Sequence, residues 1–130
     1  MNAEKKRLNV FLVEDEPALM SVLEESVRTL GYDVSQKAEG LPEALGCVER
    51  GDFDLAMLDV SLHGEDSFPV ADALLRLGIP FVFTTGFGLA HLPERFKGTP
   101  LMEKPFRLKE LSNTLQSLSP QPYGLPRRLG

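Results

Sequence analysis

"LNVFLVEDEPALM", residues 8–20, begins as an apolar run, turns abruptly to Glu14, Asp15 and Glu16, and resumes an apolar pattern after Pro17. The opening part reads as a buried strand. The closing part reads as a helix, because Pro17 suits a first helical turn and Leu19, Val22, Leu23, Val27 and Leu30 recur at helical spacing as far as Gly31. Three acids therefore stand where a strand hands over to a helix. Side by side they repel one another, and each is costly to desolvate, so such a cluster needs a positive partner.

The same handover recurs along the chain. "YDVSQKA" (32–38) reads as a second strand, and Leu41, Ala44, Leu45 and Val48 line a short helix ended near Gly51. "FDLAMLDV" (53–60) is a third strand, apolar almost throughout and so covered on both faces. The loop "SLHGED" leads to a helix over 67–77 carried by Val70, Ala71, Leu74, Leu75 and Leu77 and stopped by Gly78. "IPFVFTT" (79–85) and "PLMEK" (100–104) are the fourth and fifth strands, and Leu108, Leu111, Leu115 and Leu118 mark a last helix, whose near-heptad leucine row is read as core packing. Alternating strands and helices of this kind imply an α/β fold with a parallel sheet. Between strands four and five, residues 86–99 carry three glycines and Pro93, so a regular helix is poorly encoded and this segment is the expected moving part.

At 130 residues and 42% hydrophobic composition the chain suits one domain, taken as 1–118 with a loose tail over 119–130. A formal net charge of -5 gives no general footprint for nucleic acid or an anionic membrane. Lys5, Lys6 and Arg7 before "LNVFLV" imitate a signal peptide, but the apolar run is short and meets acids instead of a cleavage site. No stretch approaches the roughly 18 apolar residues of a membrane span, and a cytoplasmic protein is expected. Cys47 is the only cysteine and reads as a buried small side chain.

In an open parallel sheet with right-handed crossovers, the carboxyl ends of all strands lie along one edge, where ligands bind. Glu14 and Asp15 end the first strand, Asp59 the third, Thr84 and Thr85 the fourth, and Lys104 the fifth. Three carboxylates with oxygen donors nearby suit a hard cation, Mg²⁺ best of all. Such an ion answers the repulsion at residues 14 and 15 and leaves Asp59 able to act as a nucleophile. Lys104 and the Thr85 hydroxyl would then contact the oxygens of a transferred phosphoryl group. Thr84 is read as structural, since strand neighbours alternate.

"VEDE", "MLDV", "TTG" and "EKPF", in this order and on matching strands, resemble a response-regulator receiver domain from residue 8 to about residue 118. The resemblance implies a flavodoxin-like five-stranded parallel sheet of order 2-1-3-4-5 with helices on both faces. It implies Asp59 as phosphoacceptor, Glu14, Asp15, Asp59 and the backbone carbonyl of Ser61 as the Mg²⁺ site, Thr85 as the hydroxyl that follows the phosphoryl group, and Lys104 as the lysine before an often cis proline. A sensor histidine kinase is the implied donor. "IPFVFTTGFG" is further similar to a subgroup with the pattern P-F-x-F-[AT]-T-G-[FY]-G, in which the fourth helix is short or replaced by a loop and members are often single-domain partners of HWE-type kinases. No output domain is expected after residue 118, so output would run through protein contacts or relay, from a monomer or weak homodimer. Leu101 stands where most receivers carry an aromatic residue, and His63 replaces a common loop proline without touching a ligand residue.

Blander readings compete. Asp15 alone could be a helix cap before Pro17, and Lys104 alone a solvated lysine. Glu16, Asp52, Asp54 and Asp66 read as solvated or capping residues, and His63 and His91 lack the further soft ligands of a transition-metal site. "GFGLAH" has His91 where a dinucleotide fingerprint needs a small residue. A phosphohydrolase of the haloacid dehalogenase type would carry a second acid two residues after its nucleophile, and position 61 is Ser. An adaptor that never carries phosphate is the third reading.

Overall fold

The computed structural model describes residues 7–86 and 92–119. Its elements follow the alternation: β1 (Asn9–Val13), α1 (Pro17–Thr29), β2 (Asp33–Ala38), α2 (Leu41–Arg50), β3 (Leu55–Asp59), α3 (Phe68–Leu77), β6 (Phe81–Thr85), β7 (Leu101–Glu103) and α4 (Leu108–Leu118). The expected loop at "SLHGED" is instead a small antiparallel hairpin, β4 (Ser61–Leu62) and β5 (Glu65–Asp66). Its turn places His63 and Gly64 at φ 52° and 82°, a left-handed turn that the sequence reading did not single out. The main sheet is parallel throughout, in the order β2-β1-β3-β6-β7, which is the expected 2-1-3-4-5 when only its own strands are counted.

Strand period two divides the core. Val10 and Leu12, Leu55 and Met57, and Val82 face α1 and α4. Phe11 and Val13, Ala56 and Leu58, and Phe81 and Phe83 face α2 and α3. Both faces of the sheet are therefore covered, as an apolar third strand requires. The helices differ from expectation in breadth. Met20, Leu23 and Val27 make the buried stripe of α1, while Leu19 and Val22 are exposed; on α2 Cys47 replaces Leu45 in the core, and Leu75, Leu77 and Leu108 also face out. Burial pushes the Cys47 thiol up and keeps it protonated, consistent with a packing role.

Between β6 and β7 the described residues hold one 3₁₀ turn, Glu94–Phe96, in place of a crossover helix; residues 87–91, within the segment expected to move, lie outside the described residues, as do His91 and the tail from 120. Phe96 is fully buried against Phe68 and Phe83, with ring centroids 5.5 and 5.4 Å away, and Arg95 makes a two-pronged ion pair with Asp72 of α3 at 2.7 and 3.0 Å. Aromatic packing thus fastens the described end of this connection, next to β7.

Gly78 closes α3 in the left-handed region at φ 71°, and a methyl group there would meet nothing within 4 Å. The cost of Gly78→Ala is then purely conformational, about 1 kcal/mol. Urea unfolding should show a lower midpoint at unchanged slope; an unchanged midpoint would mean that the helix end leaves this conformation freely.

Candidate functional site

The carboxyl edge of the sheet gathers the predicted residues. Glu14 continues β1, its N–H donating to the Ala38 carbonyl at 3.1 Å, and its side chain is buried. Asp59 is the buried last residue of β3, register partner of Thr84, and the next N–H, that of Val60, donates to the Thr84 carbonyl at 2.9 Å. The Lys104 N–H donates to the Thr85 carbonyl at 2.7 Å, which sets the lysine beside the end of β6. The Lys104–Pro105 bond is cis. Strand pairing alone thus fixes where each polar side chain begins.

Glu14, Asp15 and Asp59 each offer a carboxylate oxygen, and these oxygens lie within 4.8 Å of one another. Lys104 donates from Nζ to Glu14 Oε1 and to Asp59 Oδ2, both at 2.9 Å. Burial drives the Glu14 pKa upward, against the lowering effect of the Lys104 hydrogen bond, and the net shift is upward. Burial also works to lower that of Lys104, but the hydrogen bonds it donates to Asp59 and Glu14 outweigh it and the ammonium is stabilised. One cation thus serves two buried acids while Asp15, more exposed, is left for other partners.

Asp15 is not the helix cap. Glu16 occupies that position without a side-chain cap bond, and Asp15 Oδ2 accepts the His63 N–H at 2.8 Å. This corrects the expectation for His63: it does touch one of the residues expected to hold the ion, with its imidazole Nδ1 also 4.0 Å from the same oxygen. A proline at that position could not donate this bond. Asp59 Oδ1 accepts the Ser61 N–H at 3.3 Å, and Ser61 borders the same cavity as Glu14, Asp15, Asp59, Thr84, Thr85 and Lys104. Thr84 and Thr85 are both buried. Three carboxylates at this spacing are hard oxygen donors of the kind Mg²⁺ takes, so the residues present fit such an ion.

The cavity, about 980 Å³, continues from the acids into an apolar groove between α1 and α4, lined by Leu19, Val22, Leu23, Phe106, Leu108 and Leu111. No reading of the sequence marked this groove. Leu19, Val22 and Leu108, expected in the core, are 40%, 61% and 47% exposed along it.

Residues 10–116 match the family model of the response regulator receiver domain. The chain belongs to that family. The receiver is 33% identical over 119 residues to the transcriptional regulatory protein TcrA of Mycobacterium tuberculosis, covering 86% of this chain and 46% of that one. It spans about half the length of the curated relatives it matches. Among solved structures it resembles SdrG from Sphingomonas melonis Fr1, with 37% identity, a TM-score of 0.77 and coverage of 86% of this chain and 96% of that chain. It also resembles the BeF3-activated conformation of SdrG from Pseudomonas melonis Fr1, with 35% identity, a TM-score of 0.72 and coverage of 86% and 97%. Response regulators act in two-component signalling, which sets the class of function for the receiver. No helix among the described residues is long and apolar enough to cross a membrane.

Proposed function

We propose that the receiver accepts a phosphoryl group on Asp59 from a sensor histidine kinase and signals through protein contacts in the cytoplasm. The observation that carries this reading is the Lys104 ammonium held 2.9 Å from an Asp59 oxygen at the mouth of an open cavity, with two further carboxylates alongside. In the step, an Asp59 oxygen attacks phosphorus, the bond from phosphorus to the donor imidazole nitrogen breaks, and the imidazole departs with the electron pair. Lys104 is already placed to meet the phosphoryl oxygens, and Thr85, one residue beyond the register partner of Asp59, supplies a hydroxyl on the same edge. Glu14, Asp15, Asp59 and the Ser61 carbonyl would hold a Mg²⁺ ion, which when bound supplies positive charge to those oxygens. The His63 N–H fixes the Asp15 carboxylate for that task.

The exposed leucines beside the acids support a docking face for the kinase's histidine-bearing helix, since an apolar groove next to the acceptor lets donor and acceptor meet with water excluded. The run from Pro80 to Gly88 supports placement in the P-F-x-F-[AT]-T-G-[FY]-G subgroup, and that resemblance implies an HWE-type kinase as donor. Asp59, Thr85 and Lys104 here perform acceptance and self-dephosphorylation; multiple turnover of small phosphoesters is not their chemistry, because Ser61 offers no general acid.

Incubation with acetyl phosphate and millimolar Mg²⁺ should add the mass of one phosphoryl group to the intact chain. Rapid phosphate release with no standing adduct would favour the phosphohydrolase reading. An unmodified chain with no release would favour the adaptor.

A further inference from the structure

We propose that the β4–β5 hairpin readies Asp15 for a cation, with His63 as the positioning residue that acts through its main-chain N–H and sets the affinity of the site. The role presupposes the Mg²⁺ site read from Glu14, Asp15 and Asp59, and deepens it. Each of those three carboxylates accepts a main-chain N–H. Glu14 Oε2 takes that of Glu16 at 3.2 Å and Asp59 Oδ1 that of Ser61 at 3.3 Å, both from two residues away. Asp15 Oδ2 takes that of His63 at 2.8 Å, from 48 residues away. Glu14 and Asp59 are each held a second time by the Lys104 ammonium, at 2.9 Å. Asp15 is therefore the acid whose orientation depends on a distant loop. With one oxygen pinned, its carboxylate loses less freedom when the other oxygen meets an ion.

The hairpin is fixed on both sides of that N–H. Ser61 pairs with Asp66 and Leu62 with Glu65, and the Ser67 N–H donates to the Val60 carbonyl at 2.9 Å to close the base. Leu62, 1% exposed, anchors it in the core shared with Val70 and Phe83. With its ends held, the left-handed turn at His63 and Gly64, φ 52° and 82°, sets where the His63 N–H points. Histidine is among the few residues with a side chain that take positive φ readily. The ring itself does less. Its Nδ1 stands 4.0 Å from the Asp15 oxygen, beyond hydrogen-bond range, on a side chain 63% exposed. Its Cδ2 lies 3.9 Å from where a Cβ on Gly40 would be, against the loop that opens α2. Residue 63 thus serves by its backbone conformation and its N–H, and any residue that supplies both should serve as well.

The test is a calorimetric titration of the full chain with Mg²⁺ alone, with no phosphoryl donor present. His63→Pro removes the N–H and forbids positive φ, and should weaken Mg²⁺ binding about tenfold, the low end for loss of a group that orients a metal ligand. His63→Asn keeps both the N–H and the tolerance of the turn, and should bind as the parent does. Parent affinity in a His63→Pro chain with native circular dichroism would overturn the proposal. So would an equal loss in His63→Asn, which would move the role to the imidazole. A parent that binds no Mg²⁺ would sink the Mg²⁺ site and this role with it, whereas a parent that binds and variants that bind equally well sink this role alone. A measurement on the parent covers a His63→Pro chain that fails to fold. By reciprocity, an ion whose binding the closed turn aids about tenfold closes the turn by the same factor. Saturating Mg²⁺ should therefore slow amide exchange at His63 about tenfold and leave that at Gly51, beyond the far end of α2, unchanged. Unchanged exchange at His63, or equal slowing at both, would also overturn the proposal.

Discussion

Asp59→Asn chains should gain no phosphoryl mass from acetyl phosphate and Mg²⁺ under conditions that give the parent chain a single adduct. In the proposed step the attacking group is the Asp59 carboxylate, which ends β3, is buried, and has Lys104 on Oδ2 and the Ser61 N–H on Oδ1. An amide keeps the shape, but it carries no charge to attack phosphorus, and when its oxygen accepts the Ser61 bond its N–H is turned toward the Lys104 ammonium. Loss of the adduct with an intact fold is therefore the expected pairing of results, checked by intact mass and circular dichroism on the same sample. An adduct persisting in the variant would move the acceptor to Glu14 or Asp15 and sink the assignment of roles.

The sheet was legible because its signals are local and doubled. Residues 10–13, 55–58 and 81–83 alternate between the two covered faces, and α1, α2 and α3, which follow β1, β2 and β3 in the chain, each carry a proline in the first turn. Once the strand order is 2-1-3-4-5, the meeting of Glu14, Asp59 and Lys104 follows from topology, since each ends a strand at the same edge. What stayed hidden depends on backbone groups or on unused apolar surface. The bond from His63 to Asp15 comes from a main-chain N–H in a left-handed turn, which side-chain identity does not announce. The groove is a case of a periodicity that was seen and misassigned: α1 carries apolar residues at 19, 20, 22, 23 and 27, a stripe wider than one buried face needs. The surplus, Leu19 and Val22, faces the acids' side of the molecule and meets Leu108 there. An over-wide apolar stripe beside a polar site is thus a sequence signal for a binding face, and reading every periodic leucine as core discards it.

Lys104→Met should lower unfolding stability by about 3 kcal/mol in the absence of divalent ions, the low end of what removing one partner from a buried ion pair costs. Met preserves much of the lysine stem, so the loss isolates the charge. The Glu14 and Asp59 side chains are only 3% and 8% exposed, and Lys104, 19% exposed, is the ammonium bonded to both. Without it two buried carboxylates face each other, with Asp15 within 4.8 Å, and no described cation replaces it. The same argument fixes the response to Mg²⁺. In the parent, an ion entering the cluster meets carboxylates already served by Lys104, so the stability gained is partly offset; in the variant the carboxylates are free, and millimolar Mg²⁺ should restore most of the lost stability. Urea unfolding of both chains with and without Mg²⁺ reads this directly as a larger midpoint shift in the variant. Equal shifts in the two chains would mean that the ion and the ammonium do not share these carboxylates, and a variant as stable as the parent would mean that the acids at the end of β1 are neutralised by something other than Lys104.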